Sequence, residues 1–172
     1  MKNQTKKITL SAMFIALGSI LAIVFHSFDL GAVLSPMHFT VLIAGITLGY
    51  KYGLAVGIIT PLINSIVFSM PPLFPVALGM ALELGTYGLV IGLIYTYLKP
   101  FKLDILNIYF SLIISMIAGR FIFGVYNGFL LGISEFGFDK FITAVIIVPL
   151  PGIIIQLLTI PAIVHKKIFF EN

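Results

Sequence analysis

The sequence predicts an all-α membrane protein with six transmembrane helices, and composition, run length and charge placement each support this class. Hydrophobic residues make up 60% of the 172 residues and charged residues only 9%, whereas soluble domains carry about 25% charged residues. The mean hydropathy is +1.17. Apolar runs of membrane-spanning length alternate with short stretches of charge, glycine and proline. We therefore expect one polytopic domain that covers residues 1–172.

Charges and helix breakers set the boundaries of the predicted spans. The first span follows a lysine-rich start, which also fits a signal peptide, but no Ala-x-Ala cleavage site follows it. The second span is short, about 22 Å if fully helical, and Pro61 is expected to kink the third. The proline-rich segment 70–75 cannot continue a helix and marks a turn. The predicted spans are residues 8–25, 36–50, 52–68, 76–98, 105–127 and 143–164, with a glycine-bearing loop at 128–142 before the last.

Lysine placement predicts the orientation of the chain in the membrane. Positive residues collect on the cytoplasmic side of membrane proteins. In the predicted topology, Lys140 is the one lysine on one side. The other side holds Lys2, Lys6, Lys7, Lys51, Lys99, Lys102, Lys166 and Lys167. We therefore expect both termini in the cytoplasm, as an even number of spans also requires, and a bacterial-type plasma membrane as the location.

The chain lacks the motifs of several function classes. It has no cysteine, so it has no disulfide, no thiolate nucleophile and no cysteine metal site. It has no Gly-x-x-x-x-Gly-Lys-Ser/Thr phosphate loop, so it shows no sign of hydrolysing ATP. The three histidines lie on both membrane sides of the predicted topology and do not form one metal site. We expect no metal, no cofactor, no nucleic-acid partner and no enzyme activity.

Glu83 and Arg120 are the most informative residues, because each is a full charge inside an apolar span. A charge at membrane depth is costly and is usually tied to a partner or to a polar ligand. Both residues lie about 10 Å below the predicted outer ends of their spans. At equal depth they can pair with each other and fix the helix register, or they can contact a ligand. Both interpretations stay open.

Further polar residues on four predicted helices point to one outward-opening pocket in the outer half of the bilayer. Each has a structural alternative: His38 lies beside a helix N-terminus, and Asn64 and Tyr87 can serve as interhelical hydrogen-bond partners. Their convergence at one depth favours the pocket, whereas Gln156, about 20 Å down, is left open. The candidate substrate-binding residues are His38, Asn64, Glu83, Tyr87, Arg120 and Asn127. The expected apolar walls are Phe74, Phe129, Phe136 and Phe138, from loops 69–75 and 128–141.

Small residues spaced four apart occur in several spans and allow two helix backbones to approach closely. Most are expected to serve internal packing, namely the pairs Gly45/Gly49, Gly53/Gly57, Gly88/Gly92 and Gly124/Gly128. Ala12 and Ala16 are the exception, because the first span has almost no other polar or functional feature. They share one face of that helix, and we expect them to contact a partner.

Several short strings are similar to those of a known family. They are LSAMFIALG (10–18), SPMHFTVLIAG (35–45), MPPLFP (70–75), ELGTYGLV (83–90), AGR (118–120) and PGIIIQ (151–156). With their order, the small size and the six predicted spans, the chain resembles the substrate-binding S components of energy-coupling factor (ECF) vitamin transporters over nearly its whole length.

This resemblance implies a function, partners and residue roles. S components bind a vitamin or vitamin precursor from outside and associate with a membrane T component and two cytosolic ATPases. They are expected to topple in the membrane and release substrate inward. Their Ala-x-x-x-Ala motif, here Ala12 and Ala16, contacts the T component. The nearest subgroup includes pantothenate-type and hydroxymethylpyrimidine-type members, and pantothenate is the first ligand expected.

Two other function classes remain open from the residues alone. The chain could be an autonomous proton-coupled carrier in which Glu83 titrates. It could also be a small intramembrane enzyme that uses Glu83 or His38 as acid and base. Both need only this chain, so the discriminating observation is whether a T component and ATPases co-purify with it.

Overall fold

The computed structural model describes residues 2–28, 31–98, 100–131, 143 and 147–170, and the regular secondary structure in these residues is helical throughout. This confirms the all-α class. The helices are α1 (Lys2–His26), α2 (Gly31–Leu34), α3 (Pro36–Leu48), α4 (Tyr50–Phe68), α5 (Leu78–Leu93), α6 (Asp104–Leu131) and α7 (Leu150–Phe170).

Four described segments are long and apolar enough to cross a membrane. They are Gln4–His26, Tyr50–Phe68, Leu73–Leu98 and Asp104–Leu130. Two further apolar helices are shorter, Pro36–Leu48 and Leu150–Val164. The helices therefore match the predicted runs in order, while the six-span count and the cytoplasmic termini stay predictions.

The last two predicted spans differ from the structure at their facing ends. The helix α6 continues four residues past its predicted end, to Leu131, so the start of the predicted loop is helical. The helix α7 begins at Leu150 rather than at 143. Pro149 and Pro151 account for this start, because proline has no N–H and is tolerated in the first turn of a helix but not in its interior. The predicted loop residues 132–142 lie outside the described residues.

The helix α5 is flanked by wide helical turns at both ends. One covers Leu73–Ala77, and it is interrupted at Phe74, whose backbone is extended with φ −119° and ψ 134°. The other covers Ile94–Leu98. The prolines before Leu73 end α4 at Phe68, as the sequence predicts, because they cannot donate the next helical hydrogen bonds.

The helices α3, α4 and α5 pack through a seam of glycines. A Cβ atom on Gly53 would lie 2.5 Å from the carbonyl oxygen of Gly88, and one on Gly45 would lie 2.9 Å from the same oxygen. Only residues without a side chain allow these backbones to approach so closely. The internal-packing role predicted for Gly45, Gly53 and Gly88 is therefore confirmed. Gly49 differs: it ends α3 with φ 96°, a backbone conformation that favours glycine.

Gly88→Ala should lower the stability of the fold by about 1–3 kcal/mol, the usual cost of overpacking a close contact. The added methyl group would meet the backbone of Gly53, which cannot move without shifting α4. Thermal unfolding in detergent measures the loss. Gly85→Ala, one turn away on α5, is the matched control, because its methyl group would meet side-chain atoms rather than backbone, with Ile58 Cγ1 at 2.9 Å and Leu54 Cδ1 at 3.4 Å. Equal losses in the two variants would contradict the seam.

The helix α1 lies at the periphery of the helices described. Its most apolar window has 17% of its residues buried, against 61% for Leu73–Leu98. Near its N-terminal end, Lys7 Nζ donates a hydrogen bond of 3.1 Å to the carbonyl oxygen of Leu48. That carbonyl belongs to the last turn of α3, where a cation is favourable. The helix α1 therefore presents a large apolar surface while its charged end is tied to α3.

Candidate functional site

The two membrane-depth charges lie in contact between α5 and α6. Arg120 Nη1 is 3.0 Å from Glu83 Oε1. The hydroxyl of Tyr87 donates a hydrogen bond of 2.9 Å to the same carboxylate oxygen. Glu83 is 2% exposed, and the Arg120 side chain is 11% exposed. The pairing suggested by their equal depth is therefore present, and one carboxylate oxygen joins the two helices.

His38 adds the helix α3 to this group. Its Nε2 lies 3.5 Å from Glu83 Oε1. Its ring centroid lies 5.1 Å from that of Tyr87, with the planes tilted by 58°. Three helices thus meet at Glu83, and we call His38, Glu83, Tyr87 and Arg120 the charged cluster. All four were predicted as site residues from the sequence.

Gly119 makes room for the charged cluster. A Cβ atom at this position would collide with the ring of Tyr87 and lie 2.9 Å from the carbonyl oxygen of Glu83. The glycine therefore lets the Tyr87 ring lie against α6, beside Arg120. The sequence prediction missed this residue, although its place directly before the buried arginine was a usable signal.

A cavity of about 840 Å³ lies at the end of the helices where α1 and α4 finish and α3 and α5 begin. Under the predicted orientation this is the outer end, and we call it the outer cavity. Its described lining contains no member of the charged cluster. Met37 and Met80 are in the lining. Met37 directly precedes His38 on α3, and Met80 lies three residues before Glu83 on α5. The lining is Ala22, Ile23, His26, Ser27, Gly31, Ser35, Pro36, Met37, Asn64, Phe68, Met70, Pro71, Val76 and Met80.

The predicted phenylalanine walls are wrong where the structure describes them. Phe74 is 64% exposed and Phe129 is 86% exposed, and neither lines the outer cavity. The extended backbone at Phe74 and the continuation of α6 past Gly128 place these rings elsewhere. The other two, Phe136 and Phe138, lie outside the described residues. The apolar wall comes instead from methionine, Phe68, Ile23 and Val76.

The remaining polar candidates lie in different places. Asn64 lines the outer cavity, and its Nδ2 donates to the carbonyl oxygen of Thr60 at 3.0 Å. Asn127 Nδ2 donates to the Phe123 carbonyl oxygen at 2.8 Å, so its amide group bonds its own helix rather than the charged cluster. Gln156 on α7 is buried, but it is not in the described cavity lining.

A second, shallower depression of about 440 Å³ lies between α1 and α4. Both Ala12 and Ala16 are exposed and lie in it. The opposite side is formed by Ile63, Val67 and Phe68. We call this depression the alanine groove. Its surface is almost wholly apolar, and it lies apart from the charged cluster.

Comparison with known proteins places the chain in a family. The model of the family described as "ECF transporter, substrate-specific component" matches residues 6–166. No curated protein and no solved structure matches the chain. The match covers nearly all of the chain, including the charged cluster, the outer cavity and the alanine groove. The chain therefore belongs to the family of substrate-specific components of ECF transporters, whose members are the substrate-binding membrane subunits of these importers.

Proposed function

We propose that this S component captures a vitamin or vitamin precursor from outside in the outer cavity and delivers it inward together with a T component and two ATPases. The observation that supports this most is the outer cavity itself. Its volume of about 840 Å³ lies in the range of small-molecule sites, which are mostly apolar with a few polar groups. In this proposal the chain is a six-span protein of the plasma membrane with both termini inside.

The proposed substrate-binding residues are His38, Asn64, Glu83, Tyr87, Arg120 and Asn127. Asn64 lies on the cavity lining. The lining residues Met37 and Met80 lie on the same helices as His38 and Glu83 of the charged cluster. In this proposal, a ligand that displaces a methionine side chain meets the cluster. Asn127 lies two turns further along α6 from Arg120, and its contact with ligand rests on the sequence prediction alone.

Pantothenate is the first ligand to test and hydroxymethylpyrimidine the second. Arg120 is the single arginine of the chain, and a guanidinium can hold a carboxylate through two parallel hydrogen bonds. One of its nitrogens already contacts Glu83, so an anionic ligand would share the guanidinium with that carboxylate.

A mass spectrum of small molecules released from the detergent-purified chain tests the proposed function. We expect a retained vitamin-like compound, and we expect a tagged chain to pull down a T component and two ATPases from its native membrane. An autonomous carrier or an intramembrane enzyme that uses Glu83 or His38 would purify without these subunits. Failure to recover them under conditions that preserve a known ECF complex would count against the proposal.

Arg120→Ala should weaken pantothenate binding by about a hundredfold or more, since hydrogen bonds to charged groups contribute about 1.5–3 kcal/mol each. Arg120→Lys should recover only part of the affinity, because an ammonium group cannot make the two parallel contacts. Titration calorimetry on folded, detergent-purified variants measures both. Thr86→Val is the matched control, because Thr86 is half-buried and its hydroxyl donates only to the Leu82 carbonyl oxygen of its own helix. Nearly unchanged affinity in a folded Arg120→Ala variant would assign Arg120 a structural role.

A further inference from the structure

Buried polar atoms without partners collect in one region of the molecule. Among the described residues, the buried side-chain nitrogens and oxygens that lack a hydrogen-bond partner are His38 Nδ1, His38 Nε2, Asn64 Oδ1 and Arg120 Nε. Buried polar atoms are nearly always hydrogen-bonded in folded proteins, and an unsatisfied one is costly where no bulk water is present. Asn64 lines the outer cavity, His38 follows the lining residue Met37 along the chain, and Arg120 contacts the same carboxylate oxygen that lies near His38. Another molecule can supply the missing partners.

The orientation of the Asn64 amide fixes what it can offer. Its Nδ2 lies 3.0 Å from the Thr60 carbonyl oxygen, which only accepts hydrogen bonds, so the amide nitrogen must be the atom on that side. The Nδ2 atom also lies 3.9 Å from the sulfur of Met37. The remaining oxygen, Oδ1, is therefore a buried acceptor without a donor, on a residue that lines the outer cavity.

His38 offers a second acceptor close by along the chain. Its Nε2 is the nitrogen near the Glu83 carboxylate, at 3.5 Å. In a neutral imidazole with its proton on Nε2, facing this carboxylate, Nδ1 is an acceptor. Met37 links the two acceptors, because its sulfur touches Asn64 and its backbone continues directly into His38. Methionine is unbranched and adapts readily to a new neighbour, so it can cover such a site and turn aside.

We propose that Asn64 Oδ1 and His38 Nδ1 form a polar subsite below the outer cavity, covered by Met37, that accepts hydrogen bonds from an N–H or O–H group of the ligand. The ligand class is an apolar body with a donor-bearing head, such as a primary amide, an amino group or a hydroxyl. A head that only accepts hydrogen bonds leaves both acceptors unpaired. The inference rests on the proposed function and adds which chemical group of the ligand reaches the bottom of the outer cavity. Both ligands proposed above carry N–H or O–H donors.

Two matched probes test the subsite without knowledge of the natural ligand. Cinnamamide has a flat apolar body and a primary amide, whereas N,N-dimethylcinnamamide has the same body and no donor. Titration calorimetry on the detergent-purified chain, with empty micelles as the blank, should give about tenfold or more tighter binding of cinnamamide. Asn64→Leu should reduce this preference, because one of the two acceptors is lost. Met37→Ala should raise the preference for cinnamamide, because the cover no longer has to move.

The control is Thr47→Val, which removes a side-chain bond to the Ile43 carbonyl of its own helix at the opposite end of α3, and it should keep the wild-type preference. Equal binding of the two probes to the wild-type chain overturns the proposal, and so does a preference in Asn64→Leu that is as large as in the wild-type chain. A preference in Met37→Ala no larger than in the wild-type chain removes Met37 as the cover. Co-purification with a T component and ATPases is scored separately. If the chain forms this complex but shows no preference for cinnamamide, the subsite is wrong and the proposed function stands. If the chain prefers cinnamamide but does not form the complex, the subsite stands and the proposed function is wrong.

Discussion

Ala12→Trp or Ala16→Trp is expected to abolish both ATP-driven uptake and co-purification with a T component, while ligand affinity in detergent stays unchanged. Both residues are exposed in the alanine groove, where their small size leaves about 440 Å³ open between α1 and α4. An indole side chain would fill that space and prevent a partner helix from approaching closely. The groove shares Phe68 with the outer cavity, but Ala12 and Ala16 are in neither the cavity lining nor the charged cluster, so binding of ligand should not be affected.

Leu17→Trp is the matched control for this prediction. Leu17 follows Ala16 on α1, is 47% exposed, and is not in the alanine groove. The same bulky side chain at this position points to another face of the helix and should leave the complex intact. Binding, complex formation and thermal unfolding are measured on one preparation of each variant. If the alanine variants lose stability and ligand binding in parallel, this face packs internally and the partner contact is wrong.

The sequence predicted the contact partners of the charged cluster well because membrane depth restricts them strongly. Two opposite charges at equal depth on consecutive long helices have few alternatives to meeting each other, since an isolated charge there is costly. Tyr87 follows from the same argument, because residues four apart lie on one face of a helix. These inferences need only residue type, depth and helical period.

The rotation and axial shift of each helix could not be read in this way. They depend on the glycine seam between α3, α4 and α5, where only a residue without a side chain leaves room for the facing backbone at Gly53 and Gly88. The separation of the outer cavity from the charged cluster therefore could not be read from the sequence. The same holds for Gly119, whose role appears only when the Tyr87 ring lies against it. Phe74 was misplaced because the wide turn before α5 has no sequence signature as clear as the prolines beside it.

Glu83→Gln should destabilise the chain strongly, whereas adding Arg120→Gln should restore part of the loss. The single variant leaves the Arg120 guanidinium buried beside a neutral amide, and breaking a buried pair in this way costs about 3–5 kcal/mol in soluble proteins. Arg120 Nη1 lies 3.0 Å from Glu83 Oε1, so the loss should come mainly from this contact. The double variant removes both charges and leaves two neutral amides of similar size.

A double-mutant cycle followed by thermal or chemical unfolding in detergent measures this coupling, and residues in direct contact typically show interaction energies of about 0.5–3 kcal/mol. Thr86→Val serves as the control on α5, since Thr86 is half-buried and its hydroxyl donates only to the Leu82 carbonyl oxygen. Tyr87→Phe adds a second cycle with Glu83, because it removes only the hydroxyl that donates to the same oxygen at 2.9 Å.

Additive losses for Glu83 and Arg120 would mean that the two charges do not meet in the membrane protein. A strong coupling that persists when ligand is bound would show that the pair holds α5 and α6 together throughout binding, and a coupling that disappears on binding would show that the ligand takes over one of the two charges.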